Sequence, residues 1–226
     1  MVYCTDCTPK AINFFNGTFW INMIYGSTVG PTDVYNPATG KIWMDRNLGA
    51  TQVATSSTNS DSYGDLYQWG RYTEGHEGRT SGTTSTNATT AVPNLGNSWD
   101  GLFITESSSP YDWLTSQDNT LWQGLSGTNN PCPTGYRIPT ETELNAERLS
   151  WATNNAAGAF GSPLKLTIGG YRIHFNGTLD AVGSSGYYWS STVNGIESKS
   201  LGFDASNATM FSLHRSYGLS VRCIKD

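Results

Sequence analysis

Charge is scarce in this chain. Of its 226 residues only 14% are Asp, Glu, Lys or Arg, and 13 basic against 18 acidic side chains leave a net charge of −5. No basic patch is large enough to neutralise several phosphates, which argues against nucleic acid as a partner. Long apolar runs are missing too. The nearest, AINFFNGTFWINMIY from Ala11 to Tyr25, is broken by Asn13, Asn16, Gly17 and Asn22. It is too short and too polar for a bilayer span and lacks the cleavage pattern of a secretory signal, so no membrane insertion is expected. Histidine is thin: His76, His174 and His214 are scattered, with no HExxH and no i, i+4 pair. There is no GxSxG elbow, Walker loop or dinucleotide fingerprint. No catalytic residue and no cofactor is expected.

Cysteine is limited to Cys4, Cys7, Cys132 and Cys223. One CxxC lacks the second pair that a structural zinc site needs, and neither Cys132 nor Cys223 has a Cys or His neighbour at ligand spacing. Cys4 and Cys7 stay open between a terminal disulfide and idle thiols. Cys132 and Cys223 each precede or end an expected ordered element, so a long-range bridge between them is the favoured reading. The stretch NSDSYGD, Asn59 to Asp65, loosely has the spacing of a calcium loop. Tyr63 stands where an acidic or amide ligand belongs, so a plain turn is expected, with calcium kept as the alternative.

What the chain does have is aromatic: 8 Trp and 12 Tyr, amid abundant Ser, Thr, Asn and Gly. Large aromatics supply core area and also rigid binding anchors. A chain this long buries roughly 70% of its unfolded surface and needs no metal staple to fold.

Residues 1–32 read as a hairpin extension packed on the domain, two β-rich arms about the turn dipeptide Asn16-Gly17. Residues 33–226 read as the main domain. DVYNPATGKIWMDRNLGA gives two short strands about a turn from Asn36-Pro37 to Gly40, with Ile42 and Met44 alternating against Lys41, Trp43 and Asp45. TSGTTSTNATT, Thr80 to Thr90, is almost free of apolar residues and should be a mobile surface loop. CPTGYRIPTETELNAERLSWATNN holds a helix. Ile138 precedes a proline and is forced extended. Thr140 is then the N-cap, Glu143 closes a capping box, and an apolar face of Leu144, Ala146, Leu149 and Trp151 runs to about Asn154. LKLTIGGYRIHF and GYYWSSTVNG follow as β-like segments. One or two helices among many short strands and long loops make an α+β domain.

Five blocks occur in order: VYNPATGKIWMDRNLGA, DSYGDLYQWGR, CPTGYRIPTETELNAE, YYWSST and GLSVRCIKD. The series resembles the Fibrobacter major-paralogous domain family from roughly Val34 to Asp226. GYRIPTETE also resembles the helix-leading motif of the formylglycine-generating enzymes. Both resemblances imply a C-type-lectin-type fold, with small twisted antiparallel sheets under long loops and chain ends close together. The enzyme resemblance does not bring catalysis, because that activity needs a reactive cysteine pair in a cleft. The Glu-Pro-Asn, Gln-Pro-Asp and Trp-Asn-Asp motifs of sugar-binding lectins are absent.

The C-terminal end, from Tyr187 to Arg222, is similar to the variable proteins of diversity-generating retroelements. There a reverse transcriptase rewrites adenine positions at the 3′ end of the gene while intervening codons stay fixed. This resemblance implies a framework of YYWSST, the NG of Asn194-Gly195, Leu201, Phe203, Arg215, Gly218 and SVRC. It implies ligand-binding positions at Glu197, Lys199, Ser200, Gly202, Asp204, Thr209, Phe211, Ser212, Leu213, His214 and Tyr217, all expected to face solvent. It also implies a protein or cell-surface ligand and an extracellular, cell-surface or virion setting, with the number of subunits open. A non-diversified adhesin of the same family is the alternative, and an enzyme of the formylglycine-generating type the second.

Overall fold

The structure, a computed structural model, describes residues 32–92 and 96–226 throughout, and before them the backbone pairing of four short strands. These are β1 (Val2–Tyr3), β2 (Ile12–Phe15), β3 (Trp20–Asn22) and β4 (Thr28–Val29), an antiparallel sheet in that order. Phe15 pairs with Trp20, so β2 and β3 form the two arms of a hairpin. The Asn16-Gly17 dipeptide, Cys4 and Cys7 lie outside the described residues.

In chain order there follow β5 (Asp33–Asn36), β6 (Lys41–Met44), β7 (Tyr67–Gln68), β8 (Thr83–Thr84), β9 (Phe103–Ile104) and β10 (Tyr136–Arg137). Two helices come next, α1 (Glu141–Leu149) and α2 (Ala156–Gly161). The chain closes with β11 (Tyr171–Arg172), β12 (Leu179–Asp180), β13 (Gly186–Asn194), β14 (Glu197–Phe203), β15 (Ala208–His214), β16 (Gly218–Leu219) and β17 (Ile224–Lys225). The main sheets are antiparallel, ordered β10-β17-β6-β5, β12-β11-β16-β7 and β13-β14-β15, and β8 pairs in parallel with β9. Among the described residues, two α-helices amid small, mostly antiparallel sheets make an α+β fold. Among the described residues no helix is long and apolar enough to cross a membrane.

The helix starts where its local chemistry dictates. The Thr140 hydroxyl accepts from the Glu143 amide at 3.3 Å, and the Glu143 carboxylate accepts from the Thr140 amide at 2.9 Å. A cap of this kind contributes about 1 kcal/mol. The helix stops at Leu149, short of the expected Asn154: Ser150 is its C-cap, and after a bend Asn155 caps α2, its side-chain oxygen accepting from the amides of Ala157 and Gly158. The buried helix residues are Leu144 and Glu147, so Leu149 is 67% exposed, while Trp151 turns inward beyond the helix and donates to Glu147.

Adjacent residues Tyr188 and Trp189 are both fully buried, which a strand allows only if both sheet faces are covered. Tyr188, Leu201, Phe203 and Ala208 enter one core with Trp43, Leu144, Trp151 and Leu166. Trp189 enters a second with Tyr67, Trp69, Trp122, Leu219, Val221 and Cys223. Cys223 is bonded to Cys132 across 91 residues of chain, tying the last strand to the segment before β10. Arg222, fully buried between these layers, donates to Asn47 Oδ1 and to the carbonyls of Leu164 and Met44. Burial pulls its pKa down to about 10, so it stays charged at neutral pH.

Two expectations about the first half are corrected. Trp43 is the fully buried residue of β6, flanked by half-buried Ile42 and Met44, because β6 is held between β17 and β5. Thr80 to Thr90 is not a loose loop. β8 pairs with β9, and Ala88 is buried with Ile104, Trp113 and Leu114 while exchanging backbone hydrogen bonds with Trp113 and Thr115.

The β14–β15 hairpin keeps one register over its length, from Glu197 opposite His214 to Phe203 opposite Ala208. Its tip is clamped by the segment leading into α2. The Ala156 amide donates to the Asp204 carbonyl at 2.7 Å, Asn155 donates to Ala205, and Asn154 donates to Asn207 and Ala208.

Candidate ligand-binding surface

Cross-strand partners share a sheet face, so the register sorts the expected binding positions. Thr209, Phe211 and Leu213 share a face with Ser198, Ser200 and Gly202 and with Tyr187 of β13, while Glu197, Lys199, Ser212 and His214 share the other. The positions therefore do not form one outer face. Ser200 and Gly202 are buried, contrary to expectation, because Trp189 and Phe211 pair with the first and Tyr187 and Thr209 with the second. A side chain added at Gly202 would collide with the rings of Phe211 and Tyr187, which lie across it.

Several of the remaining positions join an aromatic strip that linear spacing does not show. Phe211, 40% exposed, leans toward Tyr187 at 6.3 Å between ring centroids. Tyr187 meets Tyr171 edge to face at 5.0 Å, and Tyr171 meets Tyr217 at 5.8 Å. Tyr217 touches His174 at 4.6 Å, His174 lies 5.2 Å from His214, and His214 stacks flat on Tyr111 at 4.1 Å. Phe175, exposed, stands against His174. All but Phe211 and Phe175 are half-buried, so each ring is fixed by packing yet keeps a part in water.

Tyr111 is positioned by an unusual backbone. Its φ is +56°, a left-handed conformation that a residue with a Cβ seldom adopts without outside support. Ser216 supplies that support, its hydroxyl and amide both donating to the Tyr111 carbonyl, at 2.7 and 3.2 Å. Ser216 follows Arg215, whose fully buried guanidinium lies over Trp69 and donates to Asn119. The framework beneath the strip thus sets the ring above it.

The other positions sit around this strip. Glu197 reaches the His214 ring at 3.5 Å, and Ser212 accepts from the Asn194 side chain. Lys199 turns toward Glu141 at the start of α1, at 3.6 Å. Asp204 is fully exposed at the hairpin tip, where its carboxylate accepts from the amides of Ser206 and Asn207, which hold its pKa below the usual range. Tyr187, read as framework, is part of the surface. Tyr111, Tyr171, His174 and Phe175 carry no signal in the sequence, since they come from segments far from β15.

His214 is a reporter for the strip. Burial pushes its pKa down, the neighbouring His174 adds to that, and Glu197 opposes it. A proton NMR titration is expected to place His214 below the ordinary imidazole value of about 6.5. Glu197→Gln should move it further down, and His174→Gln should move it up. A midpoint at the ordinary value would mean that the stack on Tyr111 does not shield the ring. A folded-state pKa below the unfolded one makes His214 contribute stability that is present above about pH 6.5 and is lost as pH falls through the folded value.

A second constellation lies inside the protein. The amide of Gln68 donates to His76 Nε2, so Nδ1 carries the proton and faces Glu74 at 3.0 Å and Glu77 at 3.2 Å. Burial lowers the His76 pKa, with Arg71 assisting, and Arg71 is itself paired with Glu74. The cavity beside Arg71 and Glu74 is about 10 Å³, too small for a substrate. This network holds residues 68–77 in place. Asn59 to Asp65 forms a short 3-10 turn over Ser60–Ser62, and among the described residues no three His, Cys, Asp or Glu side chains gather as a metal site.

No family model, curated protein or solved structure matches the chain.

Proposed function

We propose that this protein is a recognition protein, which presents the aromatic strip along β15 to a protein or cell-surface ligand and performs no chemistry on it. The strip is the observation that carries the reading. Part-exposed Tyr, Phe and His rings among Ser, Thr and Asn have the composition of interface hot spots. Anchoring on two packed cores lowers the ordering cost of binding.

We read the domain further as a C-type-lectin-type fold of the Fibrobacter major-paralogous kind, acting as the variable protein of a diversity-generating retroelement. The placement of its ends supports this: β17 pairs with β6, and Lys225 donates to Asp33 at 2.8 Å. The disulfide suits an oxidising setting outside the cell or on a virion. The positions free to change are Glu197, Lys199, Asp204, Thr209, Phe211, Ser212, Leu213, His214 and Tyr217, without the buried Ser200 and Gly202.

The test is to sequence many copies of the gene from one population. Substitutions should concentrate at those positions and spare Ser200, Gly202, Trp189 and Phe203. Scattered substitutions would overturn the variable-protein reading, and an invariant surface would favour a constant adhesin.

A further inference from the structure

We propose that the cleft between Tyr171, Tyr187 and Tyr217 is a subsite for an alkylated ammonium group carried on a side chain of the partner. The inference rests on the recognition reading and gives it a chemical preference.

The geometry comes first. Tyr171 is the floor: the rings of Tyr187 and Tyr217 stand against it at 74° and 68°, three sides of an open box, and Leu213 completes the lining. The cleft holds about 90 Å³. That equals about three water volumes, enough for a compact head group and well under the ~300 Å³ of an ordinary small-molecule pocket. Aromatic faces around such a space attract cations through the ring quadrupole, most strongly where water is partly excluded.

Charge decides between a cation and a neutral apolar guest. The Tyr171 hydroxyl donates to Asp180 at 2.8 Å. Burial raises the pKa of all three phenols, and carboxylates add to it, Asp180 at Tyr171 and both Asp204 and Asp180 at Tyr187. The phenols stay neutral at pH 7, and the two carboxylates give the box a negative surround. The basic side chains near these residues point elsewhere: Arg172 is buried over Phe103 and bonded to Gly177 and Ser81, Arg215 is buried over Trp69 and bonded to Asn119, and Lys199 turns to Glu141. The net charge of −5 acts in the same sense. Tyr171 and Tyr187 lie outside the positions expected to vary and Leu213 and Tyr217 lie among them, so a constant floor and wall face a rewritable side.

The full chain, with its tyrosine rings isotope-labelled, is titrated at constant ionic strength with tetramethylammonium chloride and with tert-butanol, a neutral group of like shape. Saturable shifts are expected at Tyr171, Tyr187 and Tyr217, with tetramethylammonium bound about tenfold tighter than tert-butanol. Tyr187→Leu should weaken it about fivefold, as should Tyr217→Leu at a half-exposed site that spares the fold. Asp180→Asn, at an exposed position, should weaken the cation and leave tert-butanol unchanged. N-acetyl-trimethyllysine methylamide should bind at least as tightly as tetramethylammonium, and its exclusion would overturn the side-chain source. Equal binding of the charged and neutral probes would overturn the cation preference, as would shifts outside the cleft. A variable surface in the population sequencing, together with no cation binding, would leave recognition standing and remove this inference alone.

Discussion

Trp189→Ala is expected to lower the stability of the domain by about 3–5 kcal/mol, the usual cost of emptying a large buried aromatic site. Trp189 is fully buried among Tyr67, Trp69, Trp122 and Val221, and its indole N–H donates to the Tyr67 carbonyl at 2.8 Å. The variant leaves a cavity and a buried carbonyl short of its donor. A typical domain has only about 5–15 kcal/mol in total, so the loss is a large fraction. Urea unfolding at unchanged slope would measure it. Phe211→Ala, on the same sheet face but at a 40% exposed position, should cost about 1 kcal/mol or less. Comparable losses in the two variants would mean that the surface is not separable from the core, and the recognition reading would lose its physical basis.

Replacing Cys132 and Cys223 together by alanine is the second large effect. The bridge closes a loop of 91 residues, and in the chain-entropy model such a cross-link stabilises by about 4–5 kcal/mol, chiefly by restricting the unfolded chain. Alanine is the right substitution because Cys223 is fully buried, and a serine hydroxyl there would add its own desolvation cost. The unfolding midpoint should fall well below that of the parent protein. Adding reductant should bring the parent toward the variant and leave the variant unmoved. A double variant within about 1 kcal/mol of the parent would show that the sheet β10-β17-β6-β5 holds the C-terminus without covalent help.

The parts of the fold that rest on neighbouring residues were legible in the sequence. Thr140 and Glu143 make a cap from groups three positions apart, and Leu201 and Phe203 alternate inward as a strand requires. Alternation misleads where both faces of a sheet are covered. Ser200 and Gly202 look like outward positions beside Leu201 and Phe203, yet Ser200 is enclosed between Trp189 and Phe211 on neighbouring strands and Gly202 lies under the rings of Phe211 and Tyr187. Trp43 is the same lesson in β6. The strip was half legible: Phe211, His214 and Tyr217 belong to one short stretch with no burying period. Tyr111 and His174 reach it only through the turn held by Ser216 and the arm between β11 and β12. A single sequence carries no trace of contacts made across such separations.

The clamp on the β14–β15 tip limits how this surface can change. An added or missing residue between Asp204 and Ala208 would tear the turn from Asn154, Asn155 and Ala156. A slip of one place along either strand would exchange the residues of the two faces. Change of loop length is therefore closed to this hairpin, which tolerates novelty only as exchanged side chains on a backbone of constant span.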